Sequence, residues 1–272
     1  VEKLDAKVAV ITGAASGIGR ALADACAAAG MRLALADIEP DPLHVAQREL
    51  AAAGADVIAH VVDVSDGAQV DALRDLTIRT FGAAHLVVNN AGVSTSGPVW
   101  TFPEEAWRWV LGVNLWGAIH GVRAFVPALI AQGDGHVVNT ASMQGLAPTQ
   151  AAGPYAVSKH GVVALSEVLR ADLRAAKANV GVSVLCPGPV PTRIYESERN
   201  RPAAVDLASV RSPSGRSGAD VKAFLERGPS PAAVAAQVLD AVRTNRFYVL
   251  TDRSRIGDVV ARTQEIVEGD QP

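Results

Sequence analysis

"VAVITGAASGIGRALADACAAAG", residues 8 to 30, runs from a short apolar segment through a turn holding Gly13, Gly17 and Gly19 into an alanine-rich amphipathic segment. Strand, glycine turn and helix in that order let backbone N–H groups meet a pyrophosphate at the positive end of the helix. Any Cβ on the glycines would stand in the way. The spacing differs from G-x-G-x-x-G, so the turn alone does not identify a dinucleotide site and its context must.

The context is an alternation of short β-branched runs with longer amphipathic segments. "KVAVIT" precedes residues 17 to 29, "RLALAD" precedes 40 to 53, "VIAHVVD" precedes 66 to 81, and "HLVVNN" precedes a further helical region. Three more strands are read at 136 to 142, 180 to 188 and 247 to 251. This rhythm predicts βαβ units around a parallel sheet of seven strands, buried on both faces. Residues 193 to 228, rich in Arg, Ser, Pro and Gly, break the rhythm and read as a lid inserted in one domain spanning 1 to 272. The tail "EIVEGDQP" is expected to fray.

Bulk properties exclude other classes. With 25 Lys and Arg against 28 Asp and Glu, the net charge of -3 is dispersed and offers no footprint for nucleic acid or an anionic membrane. The N-terminal apolar run is too short for a signal peptide or a membrane span, and no other stretch is read as reaching spanning length. Cys26 and Cys186 sit in apolar contexts without metal-ligand spacing. They read as buried small hydrophobes in a reducing cytoplasm, with no metal site.

Strand ends supply the candidate binding residues. Asp37 closes the second strand, where a carboxylate takes ribose hydroxyls and repels a 2'-phosphate. No cation stands at Ala15 or Ile38 to hold such a phosphate, which favours NAD over NADP. Asp63 and Val64 suit an adenine amino group and ring face. Asn90, Ala91 and Gly92 let backbone pass close to a ribose, whereas Asn89 is read as stabilising the sheet. Ser16 and Ile18 complete the glycine turn.

"TGAASGIG" at 12 to 19, "NNAG" at 89 to 92, Asn114 in "LGVNLWG", Ser142 in "NTASMQG", Tyr155 and Lys159 in "YAVSK", and "PGPVPT" at 187 to 192 together resemble the classical short-chain dehydrogenase/reductase family. The likeness covers residues 5 to 192. It implies a Rossmann-type doubly wound α/β sandwich with the nicotinamide pocket at the carboxyl ends of the strands. It also implies a homo-oligomer, tetramer or dimer, pairing helices at about 103 to 131 and 154 to 178.

Removing a hydride from a secondary alcohol needs a base for the hydroxyl proton, and a free phenol at pKa ~10 is mostly the wrong species. Tyr155 and Lys159 lie four apart on one helical face, so the ammonium is within reach of the phenol. Bringing the phenol toward neutrality requires about 3 to 4 kcal/mol, which a close cation in a desolvated site can supply. The family pattern further implies that Lys159 binds the nicotinamide ribose, that Ser142 holds the substrate oxygen, and that Asn114 binds a water linking Lys159 to solvent. Pro187, Gly188 and Val190 would form a rigid loop under the nicotinamide, with Thr192 on its carboxamide.

The pocket wall is expected from Val93, Trp100, Met143, Gln144, Leu146, Pro148, Pro189 and Tyr195, with Ser142, Gln144, Tyr155 and Tyr195 meeting the substrate. Most are apolar, which points to a lipophilic secondary alcohol or ketone, cyclic or aromatic, unless Arg193, Arg199 or Arg201 of the lid swings in. An NADPH-dependent ketone or acyl-thioester reductase of the same fold stands as an alternative, as does a catalytically silent nucleotide-binding protein.

Overall fold

The computed structural model describes residues 3–208, 210 and 218–269. β1 (Val8–Thr12) is buried along its whole length, which an apolar strand achieves only with strands on both sides and helices on both faces. The chain adds β2 (Arg32–Asp37) and β3 (Val57–Val61) on one side of it. It then returns to place β4 (Leu86–Asn89), β5 (Gly135–Thr140), β6 (Val180–Cys186) and β7 (Tyr248–Leu250) on the other. The order is β3-β2-β1-β4-β5-β6-β7, with every pairing parallel. Reversal between β1 and β4 opens a crevice at the carboxyl ends of the strands.

Helices cover both faces. α1 (Gly17–Ala28), α2 (Pro40–Ala52) and α8 (Pro231–Thr244) bury Leu22, Cys26, Leu43, Leu50, Val238 and Leu239 against one. α3 (Gly67–Phe81), α5 (Gly117–Gln132) and α6 (Gly153–Ala175) bury Leu73, Phe125, Leu129, Val162 and Leu173 against the other. α4 (Glu104–Leu111) leads through a π-helical turn, Gly112–Trp116, into α5. Ala106, Trp109 and Val110 of α4 form a separate small core with Val93, Phe102 and Val205. The seven strands and the doubly wound architecture expected from the sequence are thus present.

Three expectations need correction. The run Glu104–Gln132 is long and apolar enough to cross a membrane, contrary to the sequence reading, but 44% of its most apolar window is buried inside the fold. Its apolarity is that of a helix packed against a sheet. Second, residues 265–268, expected to fray, form the last turn of α9 (Ile256–Glu268), while 270–272 lie outside the described residues. Third, the stretch 193 to 228 is not unpatterned: a 3₁₀ segment, Arg193–Asn200, opens it and α7 (Gly218–Leu225) follows. Its residues 209 and 211–217 lie outside the described residues.

A buried amide chain crosses the sheet. Asn89 Nδ2 donates to Asn139 Oδ1 at 2.8 Å, Asn139 Nδ2 donates to Ser166 Oγ at 3.0 Å, and Ser166 donates to the Val162 carbonyl at 2.7 Å. Asn89 therefore ties β4 to β5, as the sequence suggested. Ser166→Ala leaves the Asn139 amide without its acceptor and should lower stability by about 1 to 3 kcal/mol. Urea denaturation should show this as a lower midpoint at unchanged slope.

Candidate active site

The first βα turn is shaped by backbone constraints. Gly13 and Gly17 adopt φ of +65° and +56°, and a Cβ on Gly19 would lie 2.0 Å from the Gly13 carbonyl oxygen. Ser16 is the N-cap residue of α1 but its side chain makes no capping bond, so no side chain competes for the first-turn N–H groups. Gly13, Ser16, Gly17 and Ile18 line a cleft of about 320 Å³ at this helix end, a cradle suited to a pyrophosphate.

Asp37 lines the same cleft, pinned by hydrogen bonds from Ala15 N at 2.9 Å and Glu39 N at 3.1 Å. Burial pushes its carboxyl pKa up, opposed by these backbone donors. Ile38, Asp63, Val64, Asn90, Ala91, Gly92, Pro187, Gly188, Val190 and Thr192 are also on the wall. Asp63 accepts from Ser65 N and Oγ at 2.9 and 2.7 Å. Asn90 has a structural task as well: its amide donates to the Thr12 carbonyl at 3.1 Å and accepts from Thr140 Oγ1 at 3.3 Å. Gly19 stands behind the cleft wall, where it lets α1 approach β1.

At the other end of the cleft, β5 and α6 bring Ser142, Tyr155 and Lys159 together. Ser142 and Tyr155 both face the cleft, and the Ser142 hydroxyl draws the phenol pKa down. Lys159 is only 2% exposed; its Nζ donates to the Thr140 carbonyl at 2.8 Å and sits 5.6 Å from the Tyr155 ring centroid. The ammonium thus faces the ring, held there by a strand carbonyl. Burial pushes the Tyr155 phenol up, with Ser142 opposing. Burial also pushes Lys159 down to about 8.

Asn114 falls in the π-helical turn, a distortion that often accompanies functional sites. Its Oδ1 accepts from Val93 N at 2.8 Å, and its Nδ2 donates to the Val93 carbonyl at 2.9 Å and to Ser158 Oγ at 3.0 Å. The side chain is therefore bonded to Val93 and Ser158. It holds the loop after β4 against α6, behind Tyr155.

Not every expected wall residue is at the cleft. Trp100 is 84% exposed, Met143 is buried in the core, and Gln144 is turned back to bond Thr149 Oγ1 at 2.7 Å. Tyr195, Leu146, Pro148 and Pro189 are likewise absent from the lining. In their place stand Trp109, Val113, Ile194 and Leu225, with Arg108 and Glu39. The strong amphipathy of "EEAWRWVL", within the expected helix, could have revealed Trp109; nothing in the sequence after β6 signals Ile194 or Leu225.

The segment after β6 is fastened across the cleft. Ser197 Oγ accepts from Ser94 N at 2.9 Å, and Arg199 grips Glu39 through Nε and Nη2, the latter at 2.9 Å. Thr192 lies over Gly17, 3.0 Å from where a Cβ would be.

A family model described as short chain dehydrogenase matches residues 7–203, and the chain belongs to that family. A short-chain dehydrogenase/reductase from Burkholderia phymatum, solved in complex with NAD, shares 42% identity at a TM-score of 0.95, over 100% of this chain and 98% of that one. The 1-deoxy-11-beta-hydroxypentalenate dehydrogenase of Streptomyces avermitilis is 39% identical over 94% of this chain and 89% of its own length. A CLA biosynthesis dehydrogenase/reductase of Lactiplantibacillus plantarum is 31% identical over 98% and 95%. The chain is accordingly an oxidoreductase of this family.

The depressed Lys159 pKa has a stability consequence. From about 8 to the ordinary 10.5, the unfolded chain binds the proton that the folded chain has lost, so stability rises with pH across that window. Below it the cost of burying the charge is fully present. Unfolding free energies on either side of the window should show the wild type gaining on Lys159→Met by on the order of 3 kcal/mol.

Proposed function

We propose that the enzyme interconverts a lipophilic secondary alcohol and its ketone with NAD, Tyr155 acting as general acid and base. The observation that carries this reading is the Ser142–Tyr155 hydroxyl pair beside buried Lys159, in the same cleft as the glycine turn and Asp37. NAD, when bound, supplies the hydride acceptor. Its pyrophosphate would rest on the first turn of α1 and its adenosine ribose on Asp37, whose carboxylate disfavours a 2'-phosphate.

Ser142 and Tyr155 would hold the substrate oxygen between two hydroxyls, and Tyr155 would take or return its proton. Lys159 positions the phenol ring and, while protonated, supplies positive charge near it. The raised phenol pKa suits the acid role, the half of the cycle in which a ketone is reduced. Gln144 and Tyr195 are not carried forward as substrate contacts.

Apolar lining from Val93, Trp109, Val113, Ile194 and Leu225 supports a lipophilic substrate. The lining cations support a neutral one, since Arg108, Arg193 and Arg199 already face Glu104, Glu196 and Glu39. Exposed Trp116, Ile130, Val157 and Val168 on the α5 and α6 side support pairing with further copies, as dimer or tetramer. Free, buried Cys26 and Cys186 are compatible with the cytoplasm.

Tyr155→Phe should keep NAD affinity while lowering turnover by about 10² to 10⁴-fold, read by NADH absorbance over a panel of lipophilic secondary alcohols. Turnover at the wild-type level would remove Tyr155 from the chemistry. In titrations with both cofactors, Asp37→Ala should narrow the preference for NAD over NADP; an unchanged ratio would place selectivity elsewhere.

A further inference from the structure

At the Asp37 end of the cleft an ion pair joins the end of β2 to the segment after β6. Glu39 follows Asp37 by two residues, its N–H donates to Asp37 Oδ1 at 3.1 Å, and both residues line the cleft. The Glu39 carboxylate meets the guanidinium of Arg199, 160 positions later and itself on the lining. Asp37 is the residue proposed to take the ribose hydroxyls, so the pair stands where two related cofactors would differ.

Every nitrogen of Arg199 is engaged. Nε lies 3.2 and 3.1 Å from Glu39 Oε1 and Oε2, Nη2 lies 2.9 Å from Oε2, and Nη1 donates to the Arg193 and Glu196 carbonyls, each at 3.0 Å. The Arg199 and Glu39 side chains are 25% and 19% exposed, so the contact is a partly covered fork and not a loose surface pair. Burial pushes the Glu39 carboxyl up, but the guanidinium outweighs burial and holds the pKa below the usual carboxylate range. Glu39 is therefore ionised at neutral pH.

A ribose diol asks for an acceptor, which Asp37 offers; a 2'-phosphate asks for a cation. The cations on the lining are Arg108, Lys159, Arg193 and Arg199. Lys159 is held at the far end by the Thr140 carbonyl, and Arg108 and Arg193 pair with Glu104 and Glu196, neither of which lines the cleft. Arg199 differs: its partner is a carboxylate on the cleft wall itself. The fork that Arg199 presents to Glu39 is the fork by which a guanidinium takes a phosphate. Asp37 would thus repel a 2'-phosphate directly, while Glu39 occupies the cation that could compensate. With Glu39 neutral, the guanidinium keeps its brace on the Arg193 and Glu196 carbonyls and turns two free donors toward the cleft.

We propose, resting on the NAD assignment above, that Glu39 is a second cofactor-specificity residue that acts through Arg199: it keeps the guanidinium from serving a 2'-phosphate, and its loss turns Arg199 into a ligand for that group. Selectivity is then shared between a repelling carboxylate and a sequestering one. Asp37→Ala alone narrows the preference for NAD but does not reverse it, because Arg199 stays engaged with Glu39.

Dissociation constants of NAD and NADP, measured by isothermal titration calorimetry on the full chain, test this through their ratio. A pair that only fastens the segment after β6 would, when broken, loosen both cofactors together and leave the ratio where it was. Glu39→Gln should instead improve NADP relative to NAD by about tenfold, the size of one charge-assisted hydrogen bond. Asp37→Ala combined with Glu39→Gln should favour NADP outright. Adding Arg199→Gln to either variant should cancel the gain that Glu39→Gln brought, which separates a freed guanidinium from the mere removal of negative charge. An unchanged ratio in Glu39→Gln, or a gain that survives Arg199→Gln, would overturn the role of Glu39 and leave the NAD assignment standing. A wild type that prefers NADP would overturn both.

Discussion

Between the Gly13 carbonyl and the α-carbon of Gly19 there is no space for a methyl group, and that contact sets the direction of α1. With α1 lying so close on the end of β1, its uncapped N–H groups open into the crevice at the β1/β4 reversal. The same proximity lets Asn90 bond the turn from β4. Asp37 reaches Ala15 from β2 because β1 and β2 are paired in register up to Thr12 and Ala36. A bulkier residue at 19 would move the helix start, and with it the positive end on which an anion would rest.

What was legible in the sequence is what repeats or what is locally determined. Strand position follows from short branched runs, and all seven were found, because a parallel sheet covered on both faces demands apolarity at every residue. The wall from Gly13 to Thr192 was legible through motif residues whose task is to be small, to bend the chain, or to end a strand. The settings of Asn114 and of the phenol were less legible. Their environment depends on contacts between segments far apart: Val93 captures the Asn114 amide, and Thr140 captures the Lys159 ammonium. No spacing rule within α6 could report that a strand carbonyl would hold Nζ against the ring face.

The stretch after β6 marks the limit of pattern reading. Ile194 and Leu225 reach the cleft from a segment with little periodicity, and Arg199 is held by Glu39, a residue 160 positions earlier. Composition showed that arginines were there; only the fold shows that the two lining the cleft are already paired. Conversely, residues next to motifs were wrongly placed on the wall. Gln144 follows Ser142 closely in sequence, but the short 3₁₀ turn Met143–Gly145 rotates it toward Thr149.

Asn90 gives the site a history as well as a shape. Its hydrogen bonds join Thr12, 78 positions before it, to Thr140, 50 positions after it. During synthesis the glycine turn emerges first and takes its Asp37 partner from β2, but its bonds to Asn90 wait until β4 has followed, and the residues that would act on an oxygen come later still. The cleft therefore cannot mature one end at a time. Binding surface and reactive groups become ordered in the same late, long-range event, and such distant closures are the slow steps of folding. An incomplete chain would carry the fingerprint of the site without the geometry that makes it one.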